Sequence, residues 1–329
     1  MTKHLFLVMF CALSLALYAQ KNSVVDKQEL EKLKKEMTTV EKPSGDTLQW
    51  KFGGLVSANF SQAAFSNWAG GGQDAISLNT LLYLFAHHFG EHHIWENHLR
   101  IGYGFLTQEE TGFRKTDDKI EFISKYGLDA FRHWFYSGLF RFRTQLAPGY
   151  NYPNDSDKIS DFLSPAYITA AIGMNFKPDF PLALFLSPFT GKITIVQDQQ
   201  LADAGAYGVE PAAYDSNGNK IRDGKNLRGE FGGSLQLNFA IDLMENVRYS
   251  TVLNLFSNYL HNPQNIDVLW DNLLSFKINK YLSAVISVNI VYDDDIRIAV
   301  DEDGDGTIDA TGPRTQIKEV LSLGFSYQF

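Results

Sequence analysis

Long segments of the chain alternate between large apolar residues and small or polar ones, and this period of two constrains the fold more than any other feature. In GSLQLNFAIDL every second residue from Leu235 to Leu243 is large and apolar, and the residues between them are small or polar. The segments YLSAVISVNIVY and LSLGFSYQF follow the same pattern. Because successive side chains of a β-strand point to opposite faces, each segment predicts a strand with one apolar face.

Twelve such segments follow one another from Trp50 onward, so we predict an all-β protein. Most exceed the about 5–6 residues usual for soluble strands and suit the roughly 9–11 residues that cross a bilayer at a tilt. The predicted spans are 50–60, 74–87, 94–107, 118–131, 133–146, 162–176, 180–197, 228–243, 246–260, 266–279, 281–297 and 315–329.

The predicted connections alternate in length, which is typical of outer-membrane barrels. Short turns follow the second, fourth, sixth, eighth and tenth strands, and long polar loops follow the first, third, fifth, seventh and eleventh. The short connection HNPQN after the ninth strand breaks this pattern. We therefore expect a transmembrane antiparallel β-barrel of about twelve strands over residues 50–329, located in the cell outer membrane and in contact with its lipid.

The last predicted strand ends on Tyr327 and Phe329. This ending resembles the C-terminal signal strand of bacterial outer-membrane barrels, which the barrel-assembly machinery reads. We therefore expect these two residues to form an assembly signal. A half-buried strand of a soluble sandwich would show the same alternation, so a secreted all-β binding protein remains an alternative.

The N-terminal residues are different in kind. Lys3 and His4 precede an apolar run that ends at Leu17, which predicts a signal peptide over residues 1–19. The only cysteine, Cys11, lies within that run, so the mature chain would have no disulfide. Residues 20–49 include DKQELEKLKKEM and predict a charged periplasmic helix followed by a linker. The formal net charge of −9 gives no case for nucleic-acid binding.

The polar faces of the predicted strands carry charges of both signs. In a soluble sandwich this would be the solvated face, whereas in a barrel it points into the lumen. About eight strands give a filled interior and about sixteen to eighteen an open channel, so twelve strands predict a narrow or plugged lumen. The predicted lumen residues are Glu96, Arg100, Lys125, Arg141, Arg143, Asp271 and Lys277.

One loop carries a motif for a metal ion. In DEDGDGTID the carboxylates recur at the spacing with which a calcium loop begins, and Gly306 permits its sharp turn. The twelfth position is Gly312 instead of the bidentate Glu of such loops, so an acidic solvated loop is the alternative interpretation. No other cofactor is expected. The predicted calcium ligands are Asp301, Asp303, Asp305 and Asp309.

Several further motifs occur together, at Gln62, NWAGGGQ (67–73), KTDD (115–118), Thr144-Gln145, SNY (257–259), NIDVLW (265–270) and KINK (277–280). As a set they resemble a family of uncharacterised, presumed outer-membrane proteins of Bacteroidota, over roughly residues 50–297. The resemblance implies a barrel in the outer membrane. The family has no assigned reaction, so it implies no catalytic residues.

These patterns predict a non-enzymatic barrel, either a narrow channel for small solutes or the support of a cell-surface assembly. An outer-membrane enzyme acting on lipid or surface glycan is the alternative. The residues two positions beyond His98, His133 and His261 are not serines, so the His-x-Ser spacing of known lipid-hydrolysing barrels is missing. The histidines His87, His88, His92 and His93 predict a polar interfacial turn in preference to a metal site.

Overall fold

The computed structural model describes residues 49–63, 74–108, 112–152, 154–279, 282–296, 298–300 and 310–328. The predicted signal peptide lies outside these residues. The predicted helix and linker also lie outside them, except for residue 49. The predicted calcium ligands and Phe329 also lie outside them. Within the part of the chain that is described, no helix is both long enough and apolar enough to span a bilayer.

The described chain forms a closed antiparallel barrel of twelve strands, which confirms the predicted all-β fold and strand number. Each strand pairs with its neighbours in sequence, and the last pairs with the first. The barrel strands are β1 Gln49–Ala63, β2 Ala75–Phe89, β3 His93–Gln108, β4 Gly112–Phe131, β5 Trp134–Thr144, β6 Ala166–Phe176, β7 Leu182–Ile195, β8 Leu227–Met244, β9 Val247–Asn258, β10 Ile266–Lys277, β11 Leu282–Tyr292 and β12 Gln316–Gln328.

The ring closes between β1 and β12, with Leu55 opposite Gln328 and Ala58 opposite Phe325. Closure removes the free edges that an open sandwich would have to protect. The apolar faces of the strands are therefore not packed between two stacked sheets, as a sandwich would require.

The outer wall of the barrel is apolar and exposed. Leu321 on β12 is 74% exposed, Phe52 on β1 is 70% exposed and Ile172 on β6 is 69% exposed. These side chains alternate with inward ones, as the period of two predicts. Contiguous exposed apolar surface of this kind is uncommon on soluble monomers and marks a surface that meets lipid or protein.

Aromatic rings group on the outer wall near the short turns. The Trp50 ring on β1 lies 5.8 Å from that of Trp95 on β3 and 4.9 Å from that of His88 on β2. The His88 ring also stacks on that of His93, 5.2 Å away. Such rings suit a boundary where one side is apolar and the other is wet.

One predicted connection differs from that in the structure. Only three residues separate β3 from β4, so the predicted long loop after the third strand is wrong. The two strands extend beyond the predicted limit because the polar residues KTDD join the ladder, with Lys115 opposite Phe105 and Asp118 opposite Tyr103. Backbone hydrogen bonds of the ladder also form between polar residues, beyond the apolar part of the two strands. The polarity of the side chains therefore does not mark where a strand ends.

Other strand ends also shift. The sixth predicted strand begins at Ala166 instead of 162, because Asp161 and Ser164 form a tight bridge in the loop before it. The eleventh ends at Tyr292 instead of 297. There the side chain of Asp293 accepts a hydrogen bond from the backbone N–H of Asp295, which turns the chain out of the ladder.

Part of the barrel interior is apolar, which the predicted polar face did not anticipate. Phe185 on β7 is fully buried against Leu139 on β5 and Ala171 on β6. Tyr83 and Phe85 on β2 are also buried. The sequence signal was the run LLYLF in β2, which is apolar on both faces of the strand. This packing fills part of the interior beside the charged residues.

Candidate functional site

All seven predicted lumen residues lie on the face of their strand opposite outward aromatic side chains such as Trp95, Phe140 and Trp270. On β3 to β5 the ladder places Arg100 opposite Glu121, and Glu121 opposite Arg143. On β10, Asp271 faces Asn289 and Lys277 faces Ser283. The other three are Glu96, Lys125 and Arg141. Five of them meet other charged side chains in two groups, and a third group of charged residues contains none of the seven.

The first group, which we call the short-turn layer, consists of Glu96, Lys125 and Lys177. Lys177 lies in the turn between β6 and β7 and donates to Glu96 at 2.5 Å. Lys125 on β4 lies 4.0 Å from the same carboxylate. Since β3 is not a neighbour of this turn in the ring, the Lys177 bond spans the strands between them.

The second group, the basic layer, consists of Arg100, Lys119, Glu121, Arg141 and Arg143. Glu121 is at its centre and its side chain is only 4% exposed. One carboxylate oxygen lies 3.2 Å from Lys119 and 3.5 Å from Arg100, and the other lies 3.8 Å from Arg141. The layer therefore holds four cations around one carboxylate.

Arg141 also reaches the facing wall of the barrel. Its terminal nitrogen Nη2 donates to the side-chain oxygen of Asn254 on β9 at 3.2 Å. Gln236 on β8 donates to the same oxygen at 3.0 Å. Because β5 and β9 are separated by three strands in the ring, this bond crosses the lumen.

The third group, the acidic layer, lies near the long-loop ends of the strands. Lys192 on β7 lies 3.0 Å from Asp267, 3.4 Å from Glu230 and 3.7 Å from Asp293. The remaining members, Arg228 and Asp295, form an ion pair, and Arg228 also contacts Glu230 at 3.0 Å. Two cations therefore meet four carboxylates, and the layer is net negative.

Two loops form a compact cap beside the acidic layer. The β7–β8 loop (196–226) carries the short helix Gln199–Asp203, and its residues Val196, Leu201 and Val209 form a small buried cluster. Gly208 has φ of +77°, and a Cβ there would lie 2.0 Å from an Arg228 nitrogen. The loop therefore rests directly on the Arg228–Asp295 pair.

The second loop of the cap is the β5–β6 loop (145–165), and Lys158 joins it to the β7–β8 loop. Lys158 donates to Asp161 at 2.7 Å and to Asp198, which caps the short helix, at 2.6 Å. These bonds raise the pKa of Lys158 above its usual range, and the bond from Lys158 lowers the pKa of Asp198. Tyr207 adds a hydrogen bond to the carbonyl of Ile159 at 2.7 Å, and burial raises the pKa of its hydroxyl.

The segment DSNGNKIRDG (215–224), which is also rich in Asp and Asn, forms a hairpin within the cap. Asp215 accepts hydrogen bonds from the backbone N–H groups of Asn217 and Asn219, at 2.9 and 2.8 Å. Asp223 pairs with Lys220 at 2.7 Å. Across the described part of the chain, no three His, Cys, Asp or Glu side chains are grouped so that they could hold a metal ion.

Several residues that complete the layers were not among those we singled out from the sequence. Lys177 lies in a turn, where no strand periodicity marks it. Lys192 and Glu230 do follow the alternation, because Ile193 and Phe231 beside them are outward and exposed. Their segments TGKITI and RGEFGG contain glycines that weaken the apolar pattern, and this hid the signal.

The fold and site define the chain as a closed twelve-stranded β-barrel with a charged lumen and a loop cap. Residues 60–150 match the model of a family described as "Protein of unknown function (DUF3078)". The comparison with curated proteins gave no match.

Solved structures of barrels are similar in outline only. An outer-membrane channel (COG4313) from Pseudomonas putida F1 is 9% identical, with a TM-score of 0.37, over 88% of this chain and 100% of that one. The translocator domain of the autotransporter NalP from Neisseria meningitidis is 9% identical, with a TM-score of 0.34, over 92% and 96%. At these TM-scores the likeness carries no argument about function.

Proposed function

We propose that the protein is an integral outer-membrane β-barrel that acts, without catalysis, as a narrow channel for small solutes. The exposed apolar wall supports a location in a bilayer, because a closed barrel leaves no unpaired backbone groups facing hydrocarbon. Outer-membrane location also requires the signal peptide that the first residues predict.

The observation that carries the channel proposal is the lumen. Polar and charged side chains from strands that are not neighbours meet across it, as Arg141 and Asn254 do at 3.2 Å. Lys192 and Asp267 do so at 3.0 Å. If the interior side chains served only to fill the barrel, apolar side chains would stabilise the fold more, because burying charges is costly. A lumen that is lined by groups of charged side chains, between two aqueous ends, suits the passage of small hydrated solutes.

The test is conductance of the purified barrel in planar bilayers. We expect small, stable current steps, well below those of a wide porin, because side chains bridge the lumen. A heated, unfolded sample is the control. Folded protein that inserts into the bilayer but carries no current would contradict the channel proposal.

A second role, the support of a cell-surface assembly, is favoured by the cap. Loops 145–165 and 196–226 are joined by specific bonds, of which Lys158 to Asp198 at 2.6 Å is the shortest that links the two. An ordered cap offers a fixed surface to a partner. A folded, inserted and silent barrel would favour this role, and lipid hydrolysis lost on changing one Ser or His would favour an enzyme instead.

A further inference from the structure

The basic layer carries more positive charge than its own partners neutralise. It holds Arg100, Lys119, Arg141 and Arg143 around the single carboxylate of Glu121. Asp271 on the facing wall is within electrostatic reach of Arg141, but its oxygen is bonded by Asn289 at 2.6 Å. Even with that carboxylate counted, the cations exceed the anions by two.

The contacts within the layer are loose. The three distances to Glu121 run from 3.2 to 3.8 Å, whereas charge-assisted hydrogen bonds are about 2.7–2.9 Å long. Elsewhere in the lumen such bonds are made, as between Lys177 and Glu96 at 2.5 Å. The cations of the basic layer therefore lie around Glu121 but do not form short hydrogen bonds with it.

One buried donor in the layer has no acceptor within hydrogen-bonding distance among the described residues. The nearest carboxylate oxygen to Nε of Arg141, on Glu121, lies 3.8 Å away, which is too far for a hydrogen bond. Its guanidinium group is held in place by Nη2, which donates to the side-chain oxygen of Asn254 at 3.2 Å. A buried unpaired donor is costly, and a planar guanidinium presents two parallel N–H groups that match an oxyanion.

From this geometry we propose that the basic layer is an anion-binding constriction, which accepts inorganic phosphate or the carboxylate of a small solute. The inference rests on the proposed channel function and adds the class of solute. Arg141 is its main ligand, because it combines the unpaired Nε with a position that spans the lumen. Arg100, Lys119 and Arg143 supply the surrounding positive field.

The acidic layer does not reverse this preference. Its four carboxylates share the two cations Lys192 and Arg228, which neutralise part of their charge. It lies near the long-loop ends of the strands, so it meets a solute at a different depth from the basic layer. We expect the basic layer to decide which ions pass, because the Arg141–Asn254 bond crosses the lumen there at 3.2 Å and brings the cations close to a passing solute.

The first measurement is the reversal potential of single channels under a KCl gradient. We expect anions to be more permeant than cations in the wild-type barrel, and Arg141→Gln and Arg143→Gln each to reduce that preference at least about threefold. Arg222→Gln is the matched control, because Arg222 lies in the cap and pairs with Glu210 away from the layer. Cation-selective or unselective wild-type currents would overturn the inference while leaving the channel intact.

The second measurement does not depend on conductance. Phosphate is titrated calorimetrically into the folded barrel in detergent, with acetate in a separate arm, and folding of each variant is checked by heat-modifiable migration. We expect Arg141→Gln to weaken phosphate binding about tenfold, equivalent to about 1.4 kcal/mol. Tighter binding of acetate than of phosphate would identify carboxylates as the solute class. Binding equal in wild type and Arg141→Gln would overturn the site, even if the barrel proves silent.

Discussion

Glu96 shows at the scale of single residues why the lumen charges are grouped. Its side chain is buried, and Lys177 and Lys125 supply the compensating charge from two different parts of the ring. A buried carboxylate that loses its partner destabilises the fold by more than the ion pair stabilises it. The charged residues of each group therefore depend on one another. Gly208 acts through steric space instead of charge, because its lack of a side chain lets the cap approach Arg228.

Replacing Lys177 with Met removes the closest partner of Glu96. We expect the free energy of unfolding to fall by about 1.5–3 kcal/mol, because Lys125 at 4.0 Å compensates only in part. The measurement is reversible urea unfolding in lipid vesicles. Lys225→Met is the control, since that side chain is exposed and pairs only with Glu210. Equal stability of the two variants would mean that the short-turn layer is solvated.

Adding a methyl group at Gly208 should undock the cap. Gly208→Ala combines the cost of a positive φ with a clash against Arg228, whereas Gly218→Ala has φ of +81° but nothing within 4 Å. Both variants share the backbone cost, so their difference isolates the clash. We expect chymotrypsin to cleave loop 196–226 several-fold faster in the Gly208 variant only. Similar cleavage of both would show that the cap does not rest on Arg228.

At the scale of elements, the cap behaves as one unit that side chains fasten to the barrel. Its helix has five residues and is too short to be stable alone. Asp198 caps it, and Lys158 of the neighbouring loop holds that cap residue. The stability of the element therefore depends on an ion pair between two loops.

This dependence predicts a response to pH. The lowered pKa of Asp198 means that its contribution is present above the ordinary value of about 3.9 and is lost as pH falls toward the folded pKa. The raised pKa of Lys158 keeps its contribution until strongly alkaline pH. We expect hydrogen exchange in residues 196–209, corrected for the intrinsic rate, to be slow between about pH 5 and 9 and to rise in acid.

Lys158→Met should remove most of that pH response. Exchange in the same residues is then expected to be fast at neutral pH already, while Lys225→Met stays like the wild type. An acid response of equal size in Lys158→Met would assign it to other groups, such as Asp203, whose pKa is lowered to about 2 by its hydrogen bond with Lys220.

At the scale of the whole molecule, the outer wall decides what surrounds the barrel. In water, exposed apolar side chains such as Phe52, Phe140 and Leu321 would favour association. In a bilayer the same side chains contact hydrocarbon, which they favour over water. A charged side chain placed among them is costly. Two isoleucines of nearly equal exposure separate these cases: Ile172 on β6, at 69%, and Ile221 in the cap, at 67%.

In lipid vesicles we expect Ile172→Arg to destabilise the barrel by about 2–4 kcal/mol, because its side chain would face hydrocarbon. Ile221→Arg, in the cap, is expected to change stability by less than about 0.5 kcal/mol. The measurement is urea unfolding of both variants in the same vesicles. Two equally small effects would place the Ile172 wall in water and contradict the outer-membrane proposal.

The alternation of residues in each strand could be read without a structure, because side chains of a strand must point to opposite faces. Residues such as Leu235 and Arg100 could therefore be placed on one face of their strand from their neighbours alone. The extent of β4 could not be predicted in this way, since the polar residues KTDD pair as well as apolar ones do. The apolar interior around Phe185 was hidden for a related reason: a side chain inside the barrel can be buried by packing as well as by pairing.

The sequence by itself determined the strand periodicity, the number of strands and the sign of each charge on the inner face. Only the tertiary structure decided which charges meet, because Arg141 and Asn254 are 113 positions apart and the distance between them depends on how the ring closes. The same holds for Lys192 and Asp267, 75 positions apart. Local periodicity is a property of the backbone, whereas contact across a lumen depends on the tilt, closure and shape of the whole ring.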